Sequence, residues 1–103
     1  MIEGIDPGSI MQEVAAYYKQ GLEALRKAKK KPLPAKKIAV YLLKRMTALT
    51  NKEIGREFGI GYSGVSWVAQ DVERLIREEK KIKDDIEVII SHLKVWPLMI
   101  TNP

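Results

Sequence analysis

Apolar residues recur at spacings of three and four along most of this 103-residue chain. Such spacing places side chains on one face of a helix, and no stretch of five residues alternates well enough to favour a strand. Six apolar stripes can be distinguished, carried by Ile10, Val14 and Tyr17; Leu22 and Leu25; Ile38, Leu42 and Met46; Ile54 and Phe58; Val65, Ala69 and Val72; and Ile82, Ile86 and Ile89. The pattern predicts an all-α fold of about six helices.

Residues that start or stop helices separate these stripes. Asp6 followed by Pro7 starts the first helix, because Pro is suited to the first helical position, and the second helix begins at Gly21. Residues 29–34 form a basic loop, since Pro cannot continue the hydrogen-bond ladder of a helix. A third helix then runs from Pro34 to near Thr47.

The fourth and fifth stripes form a recognisable pair. Thr50 and Glu53 have the spacing of a capping box, and Gly59 follows Phe58 where a left-handed cap residue is expected. A capped helix of about eight residues, a short turn containing Gly and a longer second helix are typical of a helix-turn-helix, here about residues 50–79. Gly55 would allow the two helices to approach closely. An ordinary helical hairpin would give the same pattern.

The outward side of the fifth helix carries polar and aromatic side chains near its start. Ser and Gln can bond to base edges or phosphates, and Tyr and Trp can pack against thymine methyls or sugars. The candidate base-reading residues are Tyr62, Ser63, Ser66, Trp67 and Gln70. For Trp67 a second interpretation stays open, in which the indole covers the short fourth helix.

The distribution of charge favours a nucleic-acid partner. The net charge is +5, but residues 19–56 hold twelve basic and two acidic residues, whereas the rest of the chain holds six basic and eleven acidic ones. Basic charge concentrated in one segment is typical of a protein that binds a polyanion. The basic charge by itself fits RNA as well as DNA. The major groove of A-form RNA is too narrow to admit a helix, and the predicted recognition helix therefore favours DNA. A basic stretch that only keeps the protein soluble is the other interpretation.

Composition and motifs exclude several classes of protein. The chain has no Cys and only His92 as a soft metal ligand, which leaves too few ligands for a structural metal site. Residues 59–64 match the dinucleotide fingerprint G-x-G-x-x-G, but a helix precedes them instead of a strand, and no P-loop occurs. Acidic residues within 78–87 alternate with Lys and Arg, as in a solvated, ion-paired helix face.

We therefore expect that the chain is not an enzyme and that it binds no metal, cofactor or small-molecule substrate. Long apolar runs and a signal-peptide pattern are also missing, which predicts a single soluble domain over residues 1–103, in the cytoplasm and away from membranes.

Two runs, residues 35–42 and 47–59, resemble the C-terminal DNA-binding domain of the bacterial replication initiator DnaA. The resemblance extends from about Ile10 to about Leu93 and has no gap between Thr47 and Gly59. It implies a Trp-repressor-like helical fold whose helix-turn-helix grips duplex DNA. Residues 62–66 also resemble the Tyr-Ser-x-Val-Ser turn in the DnaA-like tail of REP-associated transposases.

The resemblance assigns contacts position by position. In the family, the basic loop before the third helix reaches into the minor groove, and the capped start of the fourth helix touches phosphate. The corresponding residues here are Lys29, Lys30, Lys31, Lys36 and Lys37 for the first group, and Thr50, Asn51 and Lys52 for the second. The family has Asp-His-Thr-Thr-Val at the start of its recognition helix, whereas residues 61–65 are Gly-Tyr-Ser-Gly-Val after a shorter turn.

These observations predict a double-stranded DNA-binding module, related to replication initiation or transposition and associated with the nucleoid. The alternative is a helical protein-interaction or RNA-binding domain that has lost specific DNA readout. The last helix ends before Pro97, and residues 95–100 form an apolar stretch within the C-terminal tail, residues 95–103. That stretch would suit docking on a partner or on a second copy of the chain.

Overall fold

Six helices make up the computed structural model, which describes residues 5–27 and 34–93. They are α1 (Pro7–Tyr18), α2 (Leu22–Arg26), α3 (Pro34–Met46), α4 (Asn51–Phe58), α5 (Tyr62–Glu78) and α6 (Lys80–His92). The predicted all-α class and the six helices are confirmed. Most of the predicted basic loop, with Lys29, Lys30 and Lys31, lies outside the described residues, as does the apolar stretch 95–100.

Side chains cap the starts of two helices as predicted. The Asp6 carboxylate accepts from the amide of Gly8 at 3.3 Å at the start of α1. At α4 the Thr50 hydroxyl accepts from the Glu53 amide at 3.1 Å, and the Glu53 carboxylate accepts from the Thr50 amide at 2.8 Å. The bond from the Thr50 amide lowers the pKa of Glu53 below its ordinary value. This capping box fixes where α4 begins.

The third helix is the centre of the molecule. α3 packs most extensively on α5 and α1, and it also contacts α2 and α4, while α6 packs against α5 and α1. The largest fully buried side chains are Phe58, Ile10, Leu25, Ile38, Leu42, Leu43, Ile54 and Ile89. Each buried aliphatic or aromatic side chain of this size contributes about 1.5–3 kcal/mol. Because α3 contacts four other helices, its orientation determines where α4 and α5 lie.

Residues 59–61 join α4 to α5 in a tight turn. Gly59 has φ 68°, the left-handed conformation that favours glycine. The Ile60 amide donates to the Gly55 carbonyl at 3.0 Å, and a Cβ added at Gly55 would lie 2.6 Å from the Ile60 carbonyl oxygen. A side chain at position 55 would therefore collide with backbone, which explains the close approach that the sequence predicted.

The acidic residues of α6 were predicted to lie on a solvated face, and Asp85 does not. Its side chain is buried, and it accepts from the Tyr17 hydroxyl at 2.6 Å, the Tyr18 hydroxyl at 2.8 Å and the Lys81 ammonium at 3.2 Å. The expectation is wrong at this position because α1 presents two tyrosines whose hydroxyls need an acceptor on α6. The contacts join the first helix to the last.

Hydrogen bonds determine the ionisation of this cluster. Burial by itself would raise the pKa of Asp85, but the two tyrosine hydroxyls and the Lys81 ammonium outweigh burial, and the pKa is lowered. The bond to Asp85 raises the pKa of Tyr17, and burial together with the same carboxylate raises that of Tyr18. Asp85 is therefore an ionised carboxylate at neutral pH.

Two glycine substitutions should have opposite effects on stability. Gly55→Ala should lower the free energy of unfolding by about 1–3 kcal/mol, because the Ile60 carbonyl cannot move away cheaply. Gly64→Ala should raise it by up to about 1 kcal/mol, since Ala is the better helix former and its Cβ would make only ordinary contacts with Ile60, to Cβ at 3.7 Å and Cδ1 at 4.0 Å. Urea denaturation followed by circular dichroism measures both. Equal effects would contradict the proposed packing at Gly55.

The contribution of Asp85 to stability should depend on pH. A lowered folded-state pKa stabilises the protein above the unfolded value of about 3.9, and this stabilisation is lost as the pH falls through the folded value. Asp85→Asn should therefore cost about 1–3 kcal/mol near pH 7, and the difference from the wild type should shrink below about pH 4. Denaturation at a series of pH values measures this difference. Asp84→Asn, whose carboxylate pairs with Lys80 at the surface, is the control and should have a small effect.

Candidate nucleic-acid interface

The start of α5 presents the predicted polar and aromatic side chains to solvent. Tyr62 is 70% exposed and Trp67 59% exposed. Ser63 and Gln70 are also exposed, and Ser66 is half-buried. The opposite side of the helix is buried through Val65, Val68, Ala69 and Val72. The orientation of α5 therefore agrees with the one that the apolar stripe predicted.

Trp67 is held at the surface by a lysine of α3. The Lys37 ammonium lies 5.7 Å from the centroid of the indole ring and 2.7 Å from a carboxylate oxygen of Asp71, one turn further along α5. Arg74 approaches the same carboxylate at 2.6 Å. The Lys37 bond, followed by the Arg74 bond, lowers the pKa of Asp71. Lys37 is thus already paired, and it supports one face of the indole.

Lys36 occupies an environment that does not suit a phosphate contact. Its side chain is buried at 3% exposure, and its ammonium donates to the backbone carbonyl of Lys27 at 2.5 Å. The bond connects the first turn of α3 to the end of α2. An ammonium at this position would have to leave the protein interior before it could reach a phosphate.

The capped start of α4 brings together three polar side chains. The Asn51 side-chain carbonyl accepts from the Lys44 ammonium at 2.8 Å, and its amide donates to the Ser66 hydroxyl at 2.9 Å. Lys52 is exposed beside them. Within the described parts of the chain, no carboxylate lies within 4 Å of the ammonium of Lys44 or Lys52. Both therefore present unneutralised positive charge.

Lys44 was missed as a site residue when the sequence was read alone. It lies in the last turn of α3, only seven residues before Asn51, and the short connection between α3 and α4 brings the two side chains together. That short spacing is the signal in the sequence that could have pointed to Lys44.

The glycines of the G-x-G-x-x-G match have separate explanations. A helix, α4, precedes the match and α5 follows it, so the context of a dinucleotide site is absent there. Gly59 has a positive φ, whereas Gly61 has ordinary backbone angles and nothing within 4 Å of an added Cβ. The conformation therefore requires glycine only at position 59. At Gly64 an added Cβ would make only ordinary contacts.

Other chemistry receives no support from the described residues. Residues 5–27 and 34–93 contain no group of three His, Cys, Asp or Glu side chains that could hold a metal ion. None of the helices described there is long and apolar enough to cross a membrane.

The chain is similar over most of its length to chromosomal replication initiator proteins called DnaA. It is 29% identical over 90 residues to that of Anaplasma marginale, an alignment that covers 84% of this chain. It is 30% identical over 87 residues to those of Caldanaerobacter subterraneus and a Thermoanaerobacter species, covering 82%. The chain spans about a fifth of the length of these relatives. No family model matches it.

The resemblance to DnaA that residues 35–42 and 47–59 predicted is therefore confirmed. The resemblance of residues 62–66 to REP-associated transposases remains a prediction.

Two lysine substitutions should separate a structural lysine from a surface one. Lys36→Ala should lower the free energy of unfolding by about 1–3 kcal/mol, because the Lys27 carbonyl loses its donor and the buried alkyl chain is removed. Lys52→Ala, at an exposed position, should change it by less than about 0.5 kcal/mol. Denaturation midpoints and slopes measure both. If Lys36→Ala leaves the free energy of unfolding unchanged, the Lys36 ammonium is dispensable for folding.

Proposed function

We propose that this chain binds double-stranded DNA, with the first turns of α5 in the major groove and the start of α4 against the backbone. The observation that carries the proposal is a closely packed α4–α5 pair in which the exposed start of α5 lies beside unneutralised lysines. Gly55 and the turn after α4 fix the orientation of the pair, and Lys44 and Lys52 flank it. This is the layout that a helix-turn-helix uses.

The similarity to replication initiators supports this proposal. It covers more than four-fifths of the chain. We further propose a binding role without catalysis, in replication initiation or transposition, for a protein of the cytoplasm that associates with the nucleoid. The chain would act as one helical domain over residues 1–103.

We divide the predicted DNA contacts into phosphate contacts and base contacts, according to where each residue lies on the surface. Phosphate contacts fix the position of a protein on DNA, and contacts to base edges select the sequence. We assign phosphate contacts to Thr50, Lys52 and Lys44, together with Lys29, Lys30 and Lys31 of the basic loop. Asn51, which the resemblance also assigned to phosphate, has its side-chain amide held between Lys44 and Ser66. We assign base contacts to Tyr62, Ser63, Ser66, Trp67 and Gln70. Lys36 and Lys37 act indirectly, through folding and through the support of Trp67.

A protein-interaction role is the second candidate, and the exposure of Tyr62 and Trp67 favours it. Large exposed aromatic residues are enriched at protein interfaces as well as at DNA contacts. The two partners differ in the response to salt, since binding to DNA releases counterions in proportion to the phosphates contacted.

Binding to duplex DNA should weaken steeply with salt. With about four to six phosphate contacts, the logarithm of affinity should fall against the logarithm of salt concentration with a slope of about −4 to −5. Fluorescence anisotropy with a labelled duplex, measured between about 50 and 200 mM salt, gives the slope. A single strand and an RNA duplex are the controls. Equal affinity for all three nucleic acids, or a flat response to salt, would overturn the proposal.

Surface variants should show the division of roles on a selected and a scrambled duplex. Lys52→Ala should weaken binding to both duplexes by a similar factor, whereas Ser63→Ala and Gln70→Ala should reduce the preference for the selected one. Trp67→Ala should lose affinity with little change in thermal stability, because the indole is 59% exposed. The matched control for charge is Lys83→Ala on α6, also an exposed lysine. Loss of only the selected site in Lys52→Ala would show that this lysine reads bases.

A further inference from the structure

Lys44, Asn51 and Ser66 form a line of hydrogen bonds across three helices. The Lys44 ammonium of α3 donates to Asn51 Oδ1 at 2.8 Å, and Asn51 Nδ2 of α4 donates to Ser66 Oγ of α5 at 2.9 Å. The line ends at the outer face of the proposed recognition helix, next to Trp67.

The chemistry of the first member sets the direction of every bond in the line. An ammonium has three donors and no acceptor, so the oxygen of the Asn51 amide must face it. The amide nitrogen then points away from Lys44, towards Ser66. Because this nitrogen can only donate, the Ser66 oxygen is required to accept.

The Ser66 hydroxyl is left with its hydrogen to donate. In residues 5–27 and 34–93, the hydroxyls of Thr47 and Ser91 donate to the carbonyls of Leu43 and Val88, each at 2.6 Å. No comparable acceptor within these residues takes the hydrogen of Ser66. The hydroxyl is half-buried at the edge of the surface. A partner that meets Ser66 therefore meets a hydroxyl whose hydrogen is unused and of whose two lone pairs one is already taken by Asn51.

We propose that Lys44 and Asn51 are positioning residues that make Ser66 a hydrogen-bond donor, and that Ser66 selects an acceptor on a base edge. Purine N7, guanine O6 and thymine O4 are such acceptors in the major groove. An amino group of cytosine or adenine can reach only the remaining lone pair of Ser66 and leaves the Ser66 hydrogen without an acceptor, so it is disfavoured. This inference rests on the proposed binding of duplex DNA. It adds the chemical class of the base atom that one side chain recognises.

One nearly isosteric substitution should reverse this selection. In Asn51→Asp the carboxylate accepts from Lys44 and also from Ser66, so the Ser66 hydrogen turns inward and a lone pair faces the DNA. Ser66 then favours an amino group of cytosine or adenine. Lys44→Arg keeps a pure donor at the start of the line and should retain the wild-type selection. Lys44→Met removes the donor, lets the amide rotate and should blur the selection.

Selection of bound duplexes from a random library, carried out with the full chain and each variant, tests the inference. We expect a base pair at which the wild type prefers an acceptor by about three- to tenfold. The preference should disappear in Ser66→Ala and shift to an amino-bearing base in Asn51→Asp. The negative charge of the new Asp lowers affinity for every duplex, so Asn51→Asp combined with Ser66→Ala is the control and should show only that uniform loss. Melting curves confirm that each variant folds.

Modified duplexes distinguish a base edge from the backbone as the source of the acceptor. Replacing the selected purine by its 7-deaza analogue should cost the wild type as much as Ser66→Ala costs it, if N7 is the acceptor. If a neutral methylphosphonate linkage abolishes the effect of Ser66→Ala, the acceptor is a phosphate and the inference is wrong. A sequence preference that Asn51→Asp and Ser66→Ala leave unchanged would also overturn it, with the proposed function intact. Failure of the wild type to bind any duplex would overturn both.

Discussion

The close contact between the Gly55 backbone and the Ile60 carbonyl is the constraint on which the proposed interface depends. It is supported by the bond from the Ile60 amide to the Gly55 carbonyl at 3.0 Å, and it leaves no room for a side chain between α4 and the turn. Because the turn is only three residues long, this contact fixes the direction in which α5 leaves α4. The burial of Val65 then places Trp67, two residues further along α5, on the outward side.

The lysines of α3 stabilise neighbouring elements as much as they supply charge. Lys36 bonds to the end of α2, Lys37 joins Asp71 beneath Trp67, and Lys44 orients Asn51. The basic excess of residues 19–56 therefore overstates the charge that is available to a polyanion. A positively charged segment identified by counting has to be divided into paired, buried and free cations before its contribution to binding can be judged.

The junction at Asp85 lies apart from the proposed recognition surface. Asp85 joins α6 to Tyr17 and Tyr18 of α1, whereas the interface is built from α3, α4 and α5. A buried carboxylate is costly unless hydrogen bonds satisfy it, and here two hydroxyls and an ammonium do so. Changes on the outer face of α5 can alter recognition while this junction and the core remain unaffected.

The sequence by itself determined the helices, because their signals are local. The capping box of Thr50 and Glu53 and the left-handed Gly59 act within a few residues, and the apolar period identifies which side of α5 is buried. The same period also placed Trp67 at the surface.

Only the tertiary structure decided what the polar side chains do. The burial of Lys36, the ion pair of Lys37 and the role of Asp85 each depend on a group from another helix. A long side chain can reach any of several neighbours, and the local pattern does not specify which helix lies opposite. For the same reason, the link from Lys44 to the recognition helix became visible only once α3, α4 and α5 were packed together.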